Sequence, residues 1–179
     1  MNMRVAVSVG MVLSALALAV NAAEDKKEPR KEAAKDVGLE RFKQLEGNWV
    51  AKGGEGKEAY EVKVTYKVTS AGSAVVETID SKHGEMITVI HQDGDALALT
   101  HYCALGNQPR MKAEHATEGK SVAFKFTGAS NLKSDKDMHM HNVTYTFVDK
   151  DTLKAEWTHY MDGKEGGTVV FEAKRVAKK

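Results

Sequence analysis

The chain has 179 residues, of which 42% are hydrophobic and 28% charged, and its formal net charge is +1 at pH 7. A charge so close to zero gives no electrostatic basis for binding nucleic acid or an anionic membrane surface. The only cysteine, Cys103, has no partner for an internal disulfide, so it is a buried thiol, an intermolecular link or a ligand.

The N-terminal sequence predicts a secretory signal peptide. A positively charged start precedes an apolar run over residues 5–20, and the small residues Val20 and Ala22 fit a signal-peptidase site. The run is short and charged residues follow it at once, which excludes a membrane span. We therefore predict a signal peptide over residues 1–22, a mature chain that begins near Ala23, and a periplasmic or secreted location.

Two further segments precede the strand-rich part of the chain. Charged residues of both signs dominate residues 23–36, which we predict to be a disordered linker. Apolar residues then recur at helical spacing and predict a short amphipathic helix that ends at Gly47. Its apolar positions are Val37, Leu39, Phe42 and Leu45. The folded domain is therefore predicted to cover residues 37–179.

Ten segments of strand-like length follow, with Gly, Asp, Asn and Ser clustered between them. They are Gly47–Lys52, Tyr60–Thr69, Ala74–Asp80, Glu85–Gln92, Ala96–Ala104, Arg110–Thr117, Ser121–Thr127, Met138–Val148, Thr152–Met161 and Thr168–Arg175. None of the connections resembles a crossover helix. The pattern predicts an all-β fold, an antiparallel meander that closes into a barrel of about ten strands behind a short N-terminal helix.

Alternation within the strands predicts which side chains face the interior. In the stretch EVKVTYKV, Tyr66 and the valines around it lie on one face, and Lys63 lies with other polar residues on the opposite face. The same logic turns Phe124 and Phe126 inward and Lys125 outward. A barrel of ten strands is wider than one of eight, so we predict a lumen with room for a small ligand.

Three histidines fall on the predicted inner face of two neighbouring strands. His139 and His141 alternate in phase with the apolar residues of the strand over residues 138–148, and His159 does so in the next strand. A three-residue turn over residues 149–151 keeps both apolar faces on the same side of the sheet. In that register the opposing pairs are Phe147 with Leu153, Val143 with Trp157, and His141 with His159.

This register brings three imidazoles to one patch and predicts a metal site. Opposed side chains in a sheet are about 4.5 to 5.5 Å apart at Cβ, so the rings of His139, His141 and His159 can share an ion at about 2.0 to 2.1 Å. Zn²⁺ or Cu²⁺ is the predicted ion. The site, though not the fold, is similar to the three-histidine zinc site of carbonic anhydrase. The alternative is that both rings of the H-x-H motif are solvated at the barrel mouth.

A second group of ligand-type side chains surrounds a predicted two-residue turn at Asp93 and Gly94. That turn places Met86 opposite His101, and Cys103 follows His101 on the same face. In this register the other opposing pairs are Ile90 with Leu97 and Thr88 with Leu99. Imidazole and sulfur ligands suit copper or haem iron, which makes haem a cofactor ranked below zinc and copper. Filling of the core by the same side chains is the alternative, and we favour it.

Several motifs together resemble a known group of proteins. The helix that leads into LEGNWV is similar to the entry of a calycin-type barrel, the group of lipocalins and fatty-acid-binding proteins. The motifs LTHYCALGNQPRM, GASNL, HMH and AEW resemble an uncharacterised family of secreted bacterial β-barrel proteins of unknown function. The resemblance spans Leu45 to Arg175. It implies a barrel and an exported location, and it implies no catalytic residue.

The sequence predicts an exported binding protein for a small, partly apolar ligand, with histidines as polar anchors. The predicted ligand-binding residues are His101, Cys103, Asn107, Arg110, Phe124, Phe126, Tyr145 and Trp157. The chain lacks the G-x-S-x-G, P-loop, dinucleotide-binding, C-x-x-C and H-E-x-x-H motifs, and we predict no catalytic residue. Two alternatives remain. One is an enzyme that uses a histidine-bound metal or a histidine base on a small substrate, and the other is a structural or interaction protein without a small ligand.

Overall fold

A ten-stranded barrel makes up most of the chain that the structure describes. The computed structural model describes residues 37–53, 59–113 and 120–177, which lie in one compact unit. One helix, α1, covers Val37–Lys43. The strands are β1 Gly47–Gly53, β2 Tyr60–Thr69, β3 Ala74–Ser81, β4 Gly84–Asp93, β5 Ala96–Tyr102, β6 Gln108–Ala113, β7 Ser121–Ser130, β8 His139–Asp149, β9 Thr152–Met161 and β10 Lys164–Arg175.

The strands follow one another around the barrel in chain order. Every neighbouring pair is antiparallel, and β10 returns to β1 to close the sheet. The predicted ten-stranded meander with a short helix before it is therefore confirmed. The predicted signal peptide, residues 1–22, and linker, residues 23–36, lie outside the described residues. Within the described ranges, no helix has the length and hydropathy needed to cross a membrane.

The first and last strands close the barrel over a short seam. Among the described residues, β1 pairs with β10 at two positions, Trp49 with Arg175 and Val50 with Lys174, whereas it pairs with β2 at seven. The guanidinium of Arg175 lies 4.2 Å from the centre of the Trp49 ring and also donates to four backbone carbonyls. These acceptors belong to Gln44 at 2.8 Å, Glu46 at 3.0 Å, Lys150 at 3.2 Å and Leu45 at 3.5 Å.

The predicted alternation of inner and outer faces is confirmed. Tyr66, Phe124 and Trp157 are buried in the barrel, whereas Lys63 and Lys125 are exposed on its outside. Each strand turns successive side chains to opposite faces, so a period of two in hydropathy maps directly onto interior and exterior. The inner face could therefore be predicted residue by residue wherever a strand is regular.

The helix α1 covers one end of the barrel, which we call the helix end. Phe42 on α1 is fully buried and makes edge-to-face contacts with the rings of Tyr145 at 5.2 Å and Phe147 at 5.3 Å. Phe124 lies 6.1 Å from the same ring. The opposite end carries the β3–β4, β5–β6, β7–β8 and β9–β10 connections, and we call it the histidine end.

Side chains fill the middle of the barrel and correct the predicted lumen. In the described part, the cavity between β2, β3, β9 and β10 has a volume of about 10 Å³, and Trp157 and Glu77 are among its lining residues. A volume of that size holds about one water molecule. The wider circumference of ten strands is taken up by large inward side chains, including the ring that α1 contributes.

The β4–β5 hairpin turns one residue later than predicted. Asp93 pairs with Ala96, so the loop residues are Gly94 and Asp95. Gly94 has φ of 65° and Asp95 has no positive φ, which is typical of a type II′ turn with glycine first. The inner face is kept but the opposing partners change. Ile90 lies opposite Leu99 instead of Leu97, Thr88 lies opposite His101 instead of Leu99, and Met86 does not pair with His101.

Candidate functional site

The β8–β9 hairpin keeps the predicted pairing of inner-face residues, although its loop is shorter than predicted. Asp149 pairs with Thr152, so the loop has two residues instead of three. An irregularity at Val148 compensates for the shorter loop. The predicted pairs Phe147 with Leu153 and Val143 with Trp157 are therefore confirmed.

A second irregularity, at His141, overturns the predicted three-histidine site. The pairing shifts by one residue there, so the residue opposite His139 is Tyr160. An extra residue in one strand shifts the pairing beyond it. It therefore changes which side chains of the partner strand lie on the same face as a given side chain of the bulged strand. His159 therefore faces away from the pair, and its Nε2 accepts a hydrogen bond from the backbone of Gly167 at 3.3 Å. The described residues accordingly contain no group of three or more histidine, cysteine, aspartate or glutamate side chains placed to hold a metal.

His139 and His141 form a hydrogen-bonded pair at the histidine end. Nε2 of His139 lies 3.1 Å from Nδ1 of His141, and Nδ1 of His139 lies 2.8 Å from the carbonyl oxygen of Asp137. A carbonyl oxygen only accepts, so in the neutral pair His139 carries its proton on Nδ1. His141 then donates from Nδ1 to His139. Its Nε2 is an unprotonated acceptor to which no described residue donates.

Two aromatic rings stack on His141. Its ring centre lies 4.5 Å from that of Phe126, with 21° between the planes, and 4.7 Å from that of Tyr160, with 20° between the planes. His139, which is 2% exposed, packs on the same two rings. The Tyr160 hydroxyl donates to the carbonyl of Gly163 at 2.6 Å, which fixes its ring. The imidazole pair is therefore held in place by its neighbours.

His141 is a neutral imidazole at neutral pH. Partial burial lowers the pKa of His141 from its ordinary value, and the nearby charges of His139 and Lys125 act in the same direction. Glu165, which accepts a hydrogen bond from Asn142 at 2.7 Å, raises the same pKa and opposes them. At neutral pH the two imidazoles thus offer a ligand a nitrogen lone pair and not a positive charge.

Asn107 lies close to the pair in the structure and has an unused acceptor. Its side-chain nitrogen donates at 2.9 Å to the carbonyl of Met138, the residue before His139. Its Oδ1 is buried and has no hydrogen-bond partner among the described residues. Buried polar atoms without partners are rare in native proteins. That Asn107 binds a ligand stays a prediction, and Oδ1 is the atom through which it would act.

A second polar group, which our sequence reasoning missed, crosses the barrel interior. Tyr66, Glu77, Thr88 and His101 lie directly opposite one another on the consecutive strands β2 to β5. The Tyr66 hydroxyl donates to one Glu77 oxygen at 2.6 Å, and the Tyr145 hydroxyl donates to the other at 3.0 Å. The Thr88 hydroxyl and Nδ1 of His101 lie 2.9 Å apart. We call these five buried residues the polar belt.

Burial sets the protonation states of the polar belt. It raises the pKa of Glu77, although hydrogen bonds from Tyr66, Thr88 and Tyr145 lower that pKa in part. It lowers the pKa of His101 to about 4, so that imidazole is neutral at neutral pH. The belt itself therefore contains no cation to balance an ionised Glu77. The missed signal was the alternation of Val75, Glu77 and Ile79, which places a carboxyl group on the inner face.

Two other predicted ligand residues lie on β6 and in the turn before it. Cys103 is half-buried in the turn after β5, which ends at Tyr102 and not at Ala104 as predicted. Burial raises the pKa of its thiol. Arg110 is exposed on the outer face of β6 and donates to the hydroxyl of Ser130 at 2.9 Å. The predicted continuation of β6 after residue 113 lies outside the described residues.

Three other predicted ligand residues are core side chains. Phe124 and Tyr145 pack around Phe42 of α1, and Trp157 lies 4.7 Å from His101 between ring centres. In this structure they contact one another across the filled interior. The interpretation of His101 as a core residue, which the sequence favoured over a metal or haem ligand, agrees with its 3% exposure.

Comparison with known proteins gives information about the fold alone. No family model matches the chain, and no curated protein matches it. Among solved structures, the chain is similar to the crystal structure of Rv2717c from M. tuberculosis, with 13% identity and a TM-score of 0.55 over 79% of this chain and 98% of that one. At this identity the similarity shows a common barrel fold. It does not show the calycin-like family or the export predicted from the sequence.

Proposed function

We propose that the chain is an exported protein that binds a small, partly apolar molecule at the histidine end of its barrel. The observation that carries this proposal is a fixed imidazole pair with an unused acceptor, Nε2 of His141, beside stacked aromatic rings. Ligand sites typically combine apolar walls with a few well-placed polar groups. Oδ1 of Asn107 supplies a second unused acceptor at the same end.

The two acceptors define the polar part of the ligand. Both offer lone pairs, so they bind N–H or O–H groups and disfavour carboxylates. Phe126 and Tyr160 supply apolar surface for the rest of the molecule. The cavity beside Glu77 holds about one water, so the ligand sits at the histidine end and not in the middle of the barrel.

Phenol is a suitable probe because it joins one O–H donor to an apolar ring, and toluene is its matched control without the donor. We expect saturable ¹H–¹⁵N chemical-shift changes at the start of β8 and the end of β9 on titration with phenol, and about tenfold weaker binding of toluene. His141→Ala should abolish the phenol response, whereas His159→Ala should leave it unchanged. Equal affinities for the two probes, an unchanged response in His141→Ala, or no saturable shift would each reject the proposal.

Export is proposed from the leader sequence, with its apolar run and its small residues at Val20 and Ala22. The expected product in an exporting bacterial host is a chain that begins near Ala23. Intact-mass measurement on the protein recovered outside the cytoplasm checks this. A recovered mass that still includes residues 1–20 would contradict it.

A further inference from the structure

The imidazole pair has the spacing of two ligands on one metal ion. Two nitrogens that each lie at about 2.0 to 2.1 Å from a shared ion, and subtend about 90° to 110° there, are about 2.8 to 3.4 Å apart. Nε2 of His139 and Nδ1 of His141 are 3.1 Å apart. The same distance serves a hydrogen bond when no ion is present, so the backbone need not change for either state.

The surroundings of His139 are those of a metal-ligating histidine. A ligating imidazole usually donates its other ring N–H to a carbonyl or carboxylate, which fixes the tautomer and the ring orientation. Nδ1 of His139 donates to the carbonyl of Asp137 at 2.8 Å and so leaves Nε2 with its lone pair. Asp137 is itself held, because its carboxylate accepts from the Ser134 hydroxyl at 2.9 Å and from the backbone of Lys133 at 2.7 Å.

His141 reaches the binding state by a change of tautomer. Its Nδ1 proton moves to Nε2, which has no donor among the described residues, and Nδ1 then carries a lone pair towards the ion. The ring stays neutral and no net proton is released. Its stacking on Phe126 and Tyr160 holds the imidazole plane in either tautomer, so little ordering is required on binding.

We propose that His139 and His141 bind one divalent transition-metal ion through Nε2 and Nδ1 respectively, at the same pair on which the proposed function rests. Imidazole nitrogens suit Cu²⁺, Ni²⁺ and Zn²⁺, and Cu²⁺ is bound most tightly of the three. The described part of the chain contributes no third histidine, cysteine or carboxylate, so the other coordination positions are open to water or to a small ligand. His159, the third histidine of the sequence-based prediction, takes no part.

The test uses the chain without an affinity tag, titrated with CuCl₂ alone or ZnCl₂ alone. We expect one Cu²⁺ per chain by calorimetry, with nitrogen hyperfine coupling in the electron paramagnetic resonance spectrum. His139→Ala and His141→Ala should each weaken binding by about tenfold or more. His159→Ala and His83→Ala are matched controls and should bind as the wild type does. Near-uv circular dichroism verifies that each variant is folded.

A readout on the unmutated chain keeps the test independent of folding in the variants. Long-range ¹H–¹⁵N spectra should show His141 changing from the Nδ1–H to the Nε2–H tautomer when Zn²⁺ is added, with His139 unchanged. An unchanged His141 tautomer at saturating Zn²⁺, or equal Cu²⁺ affinity in His141→Ala, would overturn the metal site. Phenol titration of the unmutated, metal-free chain separates the two proposals, because the phenol response of the proposed function needs no metal.

Discussion

Glu77 is a carboxyl group inside an apolar barrel, and the hydroxyl groups of Tyr66 and Tyr145 donate hydrogen bonds to it. Burying an ionised carboxylate without a cation is costly, and hydrogen bonds offset only part of that cost. His101, two strands away in the same belt, has the opposite tendency, because burial disfavours its protonated form. These two residues give the stability of the fold opposing dependences on pH.

Glu77→Gln should remove a loss of stability that sets in as pH rises. The folded-state pKa of Glu77 is raised, so above the unfolded value of about 4.3 the unfolded chain releases a proton that the folded chain retains. Stability therefore falls by up to about 1.4 kcal/mol per pH unit until the folded pKa is passed. Urea unfolding across a pH series measures this. If the free energy of unfolding changed with pH in the same way in the wild type and in Glu77→Gln, the prediction would be contradicted. Glu172→Gln, at an exposed position, is the control.

His101→Gln should remove a loss of stability that sets in as pH falls. The folded pKa is about 4 and the unfolded value about 6.5, so the unfolded chain gains a proton first. The contribution of His101 to the free energy of unfolding is complete above about pH 6.5. It is lost between about pH 6.5 and 4, and the total loss is about 3 kcal/mol. The free energies of unfolding of the wild type and of His101→Gln should approach each other as pH falls over that range. The exposed His83→Gln is the control and should keep the wild-type slope of stability against pH. If His101→Gln also kept that slope, the assignment of the pH dependence to His101 would be refuted.

The helix α1 and the irregularities of β8 are the elements that decide where the site lies. A helix of seven residues is too short to be stable alone, so α1 depends on packing against the barrel. Phe42 and Leu39 are both buried in the core, and Arg41 adds a cation over the ring of Phe147 at 4.7 Å. The helix α1 therefore covers the helix end of the barrel, whereas the imidazole pair on β8 lies at the opposite end.

Phe42→Ala should destabilise the barrel by about 3 to 5 kcal/mol, the usual range for removing a packed aromatic side chain from a core. The cavity would open among Phe124, Tyr145 and Phe147, which contact the ring. Chemical denaturation measures the change. Lys43→Ala on the same helix is the control and should change stability by less than about 0.5 kcal/mol. A loss below about 1 kcal/mol for Phe42→Ala would mean that α1 does not cap the core.

The sequence was informative within each strand and silent about inserted residues. Alternation placed Tyr145 and Trp157 on the inner face, and it would have placed Glu77 there as well. The bulge at His141 leaves no mark on the pattern, because the stretch MHMHN carries polar or polarisable residues on both faces and no apolar period is broken. The composition of the site therefore required the three-dimensional register, which places His159 opposite Met140 instead of His141 and Tyr160 opposite His139.

At the scale of the barrel, strand number, order and direction could be predicted, whereas its internal volume could not. Short strands joined by tight turns favour pairing of consecutive strands, and therefore a meander. Free volume depends on how large inward side chains from distant strands interlock, as Trp157 does with His101 and Phe42 with Tyr145. Those contacts join residues that are far apart in sequence, and local patterns hold no information about them.

Arg175→Lys should weaken the seam that closes the barrel. Lysine keeps the charge but loses the planar group that lies over Trp49 and donates to four carbonyls. We expect a loss of about 2 kcal/mol or more and faster amide hydrogen exchange in β1 and β10 than in β3 and β4. Lys150→Ala, at an exposed turn, should exchange as the wild type does. If amide hydrogen exchange became faster to the same extent in all strands, the effect would not be local to β1 and β10 and the prediction would be contradicted.

The pairing of β1 with β10 also determines when the fold can be completed during synthesis. The carbonyl of Asn48 accepts a hydrogen bond from the backbone of Val176, so the two edges that meet are far apart in sequence and are synthesised at different times. At about 5 to 20 residues per second, roughly 6 to 25 s separate the two. Throughout that interval the nascent sheet has an unpaired edge on β1, open to pairing with other chains. A ribosome-bound chain of this protein therefore depends on β10 to close its sheet, and premature termination before β10 would release a sheet with two free edges.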